Sequence, residues 1–278
     1  MSDALAGVRL KRSRAWDQIN GLNADLVRFL GKEPYSPRAN FDSNTSELTV
    51  SIHITKTPDP LWGVRVGEIV HNLRSALDHL VWQLVILNRK TPTAKDKNQF
   101  PIFDTRGGFD NLGAPKHLKN VARVAIDAIL AEQPFPKTDG GTGEGTKSPL
   151  WHLQELSNID KHRTLHLTGT ILKEFKMETA PLKFAVKTFT RERNPIGPIQ
   201  QDYVLERTMF VHAKTGQPVR EWPFRTKDIK GHLAADVAFE EGTPAVGAWV
   251  VSATLVDVAN RVDRILGTVA KDIFRIDL

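Results

Sequence analysis

Residues 61–87 read Leu61-Trp-Gly-Val-Arg-Val-Gly-Glu-Ile-Val-His-Asn-Leu-Arg-Ser-Ala-Leu-Asp-His-Leu-Val-Trp-Gln-Leu-Val-Ile-Leu87. Successive residues of an α-helix are turned by about 100° around its axis, so residues three and four apart share a face. With this spacing, seven apolar residues of the stretch fall on one arc of roughly 110°. They are Val66, Ile69, Leu73, Ala76, Leu77, Leu80 and Leu84. The stretch is therefore predicted to be a long helix that packs against the core.

The opposite face of the predicted helix is polar and has an unusual composition. Its members are Glu68, His71, Asn72, Arg74, Ser75, Asp78 and His79, with Trp82 in the middle of the arc. A helix face that only meets water is usually rich in Lys, Glu, Gln and Ala, which favour helix and bury little surface. This face contains neither Lys nor Ala, and its short polar groups and two imidazoles are typical of a cleft. We therefore expect candidate functional residues here.

The composition excludes several kinds of protein and of chemistry. A chain of 278 residues with 40% apolar and 25% charged residues is globular in composition and can bury a full core. Because it has no cysteine, it has no disulfides, thiolate metal ligands or cysteine nucleophiles. No apolar run approaches ~18 residues, and the first residues lack the pattern of a signal peptide. We expect a cytoplasmic protein with no membrane partner.

The charge is mildly basic and is concentrated in one part of the chain. The net charge is +6, and residues 168–231 contain 12 basic and 7 acidic residues. A basic surface can attract phosphate backbones through counterion release, so RNA is a possible partner. An ordinary solvated surface is the simpler interpretation of the same excess.

Other helices are predicted from the same periodicity. The first spans Leu10 to Leu30, with Gly31 as its stop, and another spans Leu118 to Glu132. Residues 134–149 are rich in Pro, Gly and Thr and are expected to form a mobile loop. A polar-faced helix then begins at Ser148-Pro149 and continues to His166, and it places Trp151, Glu155, Asn158, His162 and His166 close together on one side.

The rest of the chain indicates strands and one further helix. Leu48, Val50, Ile52 and Ile54 alternate with polar residues and predict a half-buried strand, preceded by a turn at residues 33–38. Residues 182–189, 203–211 and a segment from Ala234 are predicted strands, with turns at Asn194-Pro195 and Gly197-Pro198. The C-terminal helix is predicted from Val251, Leu255, Val258, Val262, Ile265, Leu266, Val269 and Ile273, and it should pack along the central helix.

These elements predict an α+β protein. We expect one domain over residues 1–278, with a helical core formed by residues 8–167 and 247–275. We expect an antiparallel sheet at about residues 168–245, which the early strand can join, to form a β-rich insertion.

The segment Arg74-Ser-Ala-Leu-Asp-His79 has the form R-x4-H on a helix. In this it resembles the HEPN superfamily of helical nucleases and nucleotide-binding proteins, although Ser75 stands where that family usually has Asn, Asp or His. The resemblance implies a HEPN-like helical bundle and a metal-independent endoribonuclease of the toxin or defence type. It also implies a homodimer, with a composite site built from two facing motifs and no cofactor.

Carried over to this chain, the resemblance gives Arg74 and His79 the catalytic roles. Arg74 would stabilise the pentacoordinate phosphate, and His79 would act as general base or acid while the 2′-hydroxyl of the RNA attacks. Supporting or substrate-binding roles fall to His71, Asn72, Ser75, Asp78, Asn158, Asp160, Lys161, His162 and Arg163.

Two alternatives remain open. In the first, Arg74 and Asp78 form an intrahelical ion pair, and His79 joins a buried hydrogen-bond network with Asn158 or Glu155. The protein then binds RNA or a partner through the basic sheet, or forms a structural dimer, without cleaving RNA. In the second, Glu155, His162 and His166, joined by His71 or His79, bind Zn²⁺ or Mn²⁺ in a metal-dependent hydrolase.

Overall fold

The fold is given by a computed structural model, which describes residues 4–171, 176–177, 182–183, 185–193, 197–225, 231–232, 234–240 and 249–275. The chain divides into two compact units. The helical unit comprises Met1–Ala24, Pro60–His166 and Gly242–Leu278, and the β-rich unit comprises Asp25–Asp59 and Leu167–Glu241. Residues 25–59, which lie within the predicted helical core, group with the β-rich unit; the single domain stays a prediction.

The helical unit is built from five longer helices among the described residues. They are α1 (Ala6–Leu30, whose last residues from Asp25 belong to the β-rich unit), α2 (Leu61–Leu87), α3 (Arg123–Ala131), α4 (Pro149–His162) and α5 (Val251–Val269). The bounds of α2 agree with the prediction, and all seven residues of its predicted apolar stripe are buried. Helix α1 begins four residues earlier than predicted and ends before Gly31 as expected.

Helix α5 contacts α2 and α4, as the sequence predicts for the contact with α2. The residues predicted to lie on its packing face are buried from Val251 to Val269, whereas Ile273 is only half-buried. Ile273 lies in a π-helical turn, Ala270–Phe274, that follows the α-helix. The change of helical period there turns the side chain away from the apolar row.

Helix α4 begins as predicted but ends before His166. The Ser148 hydroxyl accepts a hydrogen bond from the Leu150 amide at 3.3 Å, and Pro149 occupies the first helical position. Arg163 then adopts an extended backbone with φ −162° and ψ 157°. The helix predicted to reach His166 therefore stops at His162, because the chain leaves the helical path and buries the Leu165 side chain.

Helix α3 is shorter than predicted. Asn120 has a φ of 66°, a left-handed conformation that interrupts the predicted helix between Leu118 and Arg123. Before it lie three short helical segments that the sequence did not indicate, Arg106–Gly108, Phe109–Gly113 and Ala114–His117. The predicted loop at residues 134–149 contains two 3₁₀ turns, and its Thr142 amide donates to the Gln133 carbonyl at 2.8 Å.

The β-rich unit contains a four-stranded antiparallel sheet. The longer strands of the β-rich unit are β1 (Tyr35–Asp42), β2 (Glu47–Ile54), β3 (Leu167–Ile171), β4 (Val186–Arg193), β5 (Val204–His212) and β6 (Ala235–Phe239). The sheet has the order β1–β2–β5–β4. The turn predicted at residues 33–38 is wrong for Tyr35 to Arg38. These residues belong to β1, which pairs with β2 and places Tyr35 opposite Ile54.

A second sheet of three strands has β3 between β6 and the short strand Gly197–Pro198, and the two-residue strands Lys176–Met177 and Gly231–His232 pair with each other. Gly197-Pro198 was predicted to be a turn, but it pairs with Thr170 and Ile171 instead. The predicted turn at Asn194-Pro195, residue 184 of a predicted strand and residues 241–245 of the predicted sheet lie outside the described residues.

The α+β class is confirmed. The early strand β2 joins the four-stranded sheet, as the sequence analysis allowed, and β1 adds a strand that was not predicted. None of the described helices combines the length and the apolar character needed to cross a bilayer.

Candidate functional site

The polar face of α2 borders two clefts within the helical unit. The first, here called the His71 cleft, has a volume of about 510 Å³ and is lined by Arg14, Gln18, Val64, Gly67, Glu68, His71, Asn72 and Asp160. The second, the Trp82 cleft, has a volume of about 420 Å³ and is lined by Asp78, His79, Trp82, Gln83 and Asn98. The face that the sequence singled out thus meets open space at two places.

Hydrogen bonds between α1 and α2 position the polar groups at one wall of the His71 cleft. Lys11 Nζ donates to Asn72 Oδ1 at 3.1 Å, and Asn72 Nδ2 donates to Gln18 Oε1 at 2.8 Å. Gln18 Nε2 in turn donates to Glu68 Oε2 at 3.1 Å. Because each group is held by its neighbour, Asn72 and Glu68 have defined orientations at the rim of the cleft.

Two glycines on α2 allow the end of α4 to approach the helix backbone. A Cβ at Gly67 would lie 2.0 Å from Asp160 Oδ1, and one at Gly63 would lie 1.9 Å from the Leu165 carbonyl oxygen. Both distances are far shorter than a non-bonded contact, so a side chain at Gly63 would displace the Leu165 backbone and one at Gly67 would displace the Asp160 side chain. The G-x-x-x-G spacing of Gly63 and Gly67 places both on one side of α2, and it is the sequence signal for this approach that we missed.

Asp160 reaches the cleft beside His71. Burial raises the pKa of the Asp160 carboxyl, and the nearby His71 opposes part of that shift. Ser75 Oγ also lies 3.4 Å from His71 Nε2. The His71 ring itself is exposed. The structure therefore brings together a hydroxyl, an imidazole and a carboxyl, three residues that the sequence had placed only in supporting roles.

Arg14 adds a cation to this cleft. Its side chain is exposed, and it makes no hydrogen bond or ion pair with any residue that the structure describes. A guanidinium in this state can still offer its N–H donors to a bound anion. Arg14 and Gln18 belong to α1, and no sequence pattern predicts their place in the site because helix pairing cannot be read from spacing alone.

Arg74 fastens the segment around Phe100 to α2. Its Nη2 donates to the Phe100 carbonyl at 2.5 Å, and its Nε lies 3.7 Å from Asp78 Oδ1. Asp78 Oδ1 also accepts from the Phe100 amide at 2.8 Å. The Arg74 side chain is 14% exposed, and burial lowers the pKa of its guanidinium while Asp78 opposes that shift. The intrahelical ion pair of the first alternative interpretation is therefore present.

His79 lies apart from Arg74 on the helix surface. Five residues along an α-helix correspond to a rotation of about 140°, and Arg74 lines neither the His71 cleft nor the Trp82 cleft. His79 is exposed in the Trp82 cleft, next to α1, where a Cβ at Gly7 would lie 3.2 Å from His79 Nδ1. Trp82, in the same cleft, is 38% exposed.

The predicted supporting residues on α4 are dispersed. Asp160 lines the His71 cleft, whereas Asn158 Oδ1 accepts an intrahelical bond from Gln154 at 3.3 Å. Lys161, His162 and Arg163 are exposed at the end of the helix and line neither cleft. The predicted cluster of positioning residues is thus reduced to one carboxyl at the site.

The alternative metal site is not assembled. Within the described part of the chain, no three His, Asp or Glu side chains are close enough together to hold a metal ion. Glu155 lies in α4, but His166 follows the helix end and is exposed. The ligand set of Glu155, His162 and His166, with or without His71 or His79, was wrong because it required a helix that continues past His162.

Comparison of the chain with family models, with curated proteins and with solved structures gives no match. The candidate site is therefore judged on its own chemistry.

Proposed function

We propose that the protein is a metal-independent endoribonuclease whose reacting groups lie in the His71 cleft. One observation supports this above the others: Arg14, His71 and Asp160 line the same open cleft. A guanidinium, an imidazole and a carboxyl are the groups that phosphodiester cleavage needs when no metal takes part.

In the proposed reaction, His71 removes the proton from the 2′-hydroxyl of the RNA. The 2′-oxygen attacks the adjacent phosphorus, the bond from phosphorus to the 5′-oxygen breaks, and protonated His71 returns the proton to that leaving oxygen. The products are a 2′,3′-cyclic phosphate and a 5′-hydroxyl, so the atoms balance without another reactant. Imidazole suits this task because it gains and loses a proton near neutral pH.

Asp160 and Arg14 have separate roles in this proposal. Asp160 lies beside His71 and holds the ring in position for proton transfer, and Arg14 stabilises the negative charge that grows on the phosphate oxygens. The resemblance to the HEPN superfamily remains a proposal, with the reacting groups now placed in the His71 cleft instead of at Arg74 and His79. Its arginine, Arg74, supports the wall of the Trp82 cleft instead of meeting the reacting phosphate.

A second candidate function is RNA binding without cleavage. The engagement of Arg74 favours it over cleavage at the R-x4-H motif, because a guanidinium bonded to Asp78 and the Phe100 carbonyl is withdrawn from substrate. In that case His71→Ala would alter RNA affinity alone, and no cyclic phosphate would form. The homodimer expected from the resemblance stays a prediction, which sedimentation of the purified chain would test.

The test is a cleavage assay with end-labelled single-stranded RNA in EDTA. We expect cleavage with cyclic-phosphate ends by the wild type, and loss of about 10²–10⁴-fold in rate for His71→Ala and Asp160→Asn. His162→Ala is the matched control, since His162 is exposed and lines neither cleft. Equal rates for His71→Ala and His162→Ala, or no cleavage by the wild type, would contradict the proposal.

A further inference from the structure

The Trp82 cleft contains an aromatic ring among neutral and acidic groups. Trp82 is 38% exposed, although a tryptophan usually buries most of its surface in a core or an interface. The other lining residues are Asp78, His79, Gln83 and Asn98, with neither Lys nor Arg among them. Because Asp78 is already engaged with Arg74 and the Phe100 amide, the main feature that this cleft offers to a ligand is the apolar surface of Trp82, which suits a flat, uncharged ring.

The walls of the cleft are held in place. The Phe100 amide bonds to Asp78, and Arg74 bonds to the Phe100 carbonyl, which fixes the segment that contains Asn98 against α2. Asn98 Nδ2 donates to the carbonyls of His117 at 3.3 Å and Lys119 at 3.0 Å. Because the wall is fixed before any ligand arrives, a ring placed against Trp82 would lose little of its binding energy to ordering the protein.

The two clefts lie on the same side of α2. Eleven residues separate His71 from Trp82, which corresponds to an offset of only about 20° around the helix and a distance of about 16 Å along it. Ser75 lies between them on the same face. A single polynucleotide strand can therefore run along this face and reach both clefts.

We infer that the Trp82 cleft binds an unpaired nucleobase of the RNA that is cleaved at the His71 cleft. This inference rests on the proposed function and adds the substrate class: single-stranded RNA longer than one nucleotide, with a base several positions from the cleaved bond stacked on the indole. Sequence-tolerant stacking on aromatic side chains is a common way for proteins to bind single strands, whereas paired bases in a duplex cannot present their faces.

Binding is measured in the His71→Ala protein, so that substrate is not consumed. Fluorescence anisotropy of a labelled single-stranded oligoribonucleotide and of a duplex of the same length gives the two affinities. Trp82→Ala should weaken binding of the single strand roughly 5-fold to 150-fold and leave duplex binding unchanged. Trp82→Phe, which retains an aromatic face, should bind the single strand nearly as the parent does.

Two further measurements separate stacking from other causes. The slope of log affinity against log salt should not change in Trp82→Ala, because no phosphate contact is removed. Ile86→Ala is the matched control, since Ile86 is 46% exposed on the same helix and does not line the cleft; it should bind as the parent does.

The subsite and the proposed function can fail separately. Unchanged single-strand affinity in Trp82→Ala, an equal loss for duplex, or no binding of the single strand by the parent would overturn the subsite even if the wild type cleaves RNA. Trp82-dependent binding by a wild type that forms no cyclic phosphate would uphold the subsite and overturn the endoribonuclease.

Discussion

Gly67 of α2 leaves the space that the Asp160 carboxylate of α4 occupies, because a Cβ at Gly67 would lie only 2.0 Å from Asp160 Oδ1. This close approach places the Asp160 carboxyl near the exposed His71 ring and completes the proposed site. The position of the carboxyl thus depends on the absence of one methyl group.

Adding that methyl group tests the close approach through both the stability of the protein and its cleavage activity. Gly67→Ala is expected to displace Asp160 and to reduce RNA cleavage, with a loss of about 1–3 kcal/mol in the free energy of unfolding. Gly63→Ala should cost at least as much, since a Cβ there meets the Leu165 backbone instead of a side chain that can rotate. Gly267→Ala is the control: nothing lies within 4 Å of its Cβ position, and it should stabilise α5 by about 0.5–1 kcal/mol. Urea unfolding of the three variants measures these differences; a Gly67→Ala protein as stable and as active as wild type would contradict the described packing.

Asp160→Asn should abolish cleavage without lowering stability. Burial raises the pKa of the Asp160 carboxyl in the folded protein. A carboxyl whose folded pKa exceeds its unfolded value of about 3.9 stabilises the fold at low pH, and that contribution is lost as the pH rises through the folded pKa. At pH 7 the neutral amide should therefore give an equal or higher melting temperature than the carboxylate. Calorimetry at pH 4 and pH 7 tests this, and a large drop at pH 7 would show that the ionised group stabilises the fold.

Arg74 should prove to be a stabilising residue. Arg74→Leu removes a partly buried ion pair and leaves the Phe100 carbonyl without its donor, so the free energy of unfolding should fall by about 2 kcal/mol. Arg123→Leu is a matched control, because Arg123 and Asp127 form an ion pair of the same spacing at 2.9 Å with side chains that are 76% and 54% exposed. That pair should contribute about 0.3–0.5 kcal/mol. Similar losses for both variants in denaturant unfolding would mean that the Arg74 contacts are not formed.

The buried imidazole of His152 should make stability depend on pH. Burial lowers the pKa of His152, and its Nε2 lies 3.0 Å from the Thr146 carbonyl, to which it can donate. As the pH falls below about 6.5, the unfolded chain takes up this proton first, so the free energy of unfolding decreases until the folded pKa is reached. His117, whose pKa is also lowered by burial, acts in the same direction. His152→Gln should therefore reduce, but not remove, the fall in melting temperature between pH 7 and pH 5; an unchanged fall would contradict the burial of this ring.

The sequence predicted the structure best for helices that pack one apolar face against the core. The apolar spacing of α2 gave both of its bounds and its buried stripe, and the same spacing gave α5 through Val269. It did not predict those helix ends that depend on the backbone conformation of a single residue. The left-handed Asn120 shortened α3 and the extended Arg163 ended α4, and neither residue type requires that conformation.

The candidate site was predicted in part. The polar face of α2 was identified from composition, and Asp160 was among the residues singled out. The partners Arg14 and Gln18 were missed because they depend on how α1 lies against α2, which is a tertiary contact without a local signal. The R-x4-H motif could not predict the burial of Arg74, since a pattern of spacing does not say whether a guanidinium contacts solvent or the Phe100 carbonyl.

The most direct test of the central claim compares His71→Ala with His79→Ala in single-turnover cleavage of single-stranded RNA, at saturating protein and in EDTA. If the reacting groups lie in the His71 cleft, His71→Ala should lose about 10²–10⁴-fold in the maximal rate, whereas His79→Ala should keep that rate. A His79→Ala protein that loses its maximal rate while His71→Ala retains it would contradict the account and return the chemistry to the R-x4-H motif.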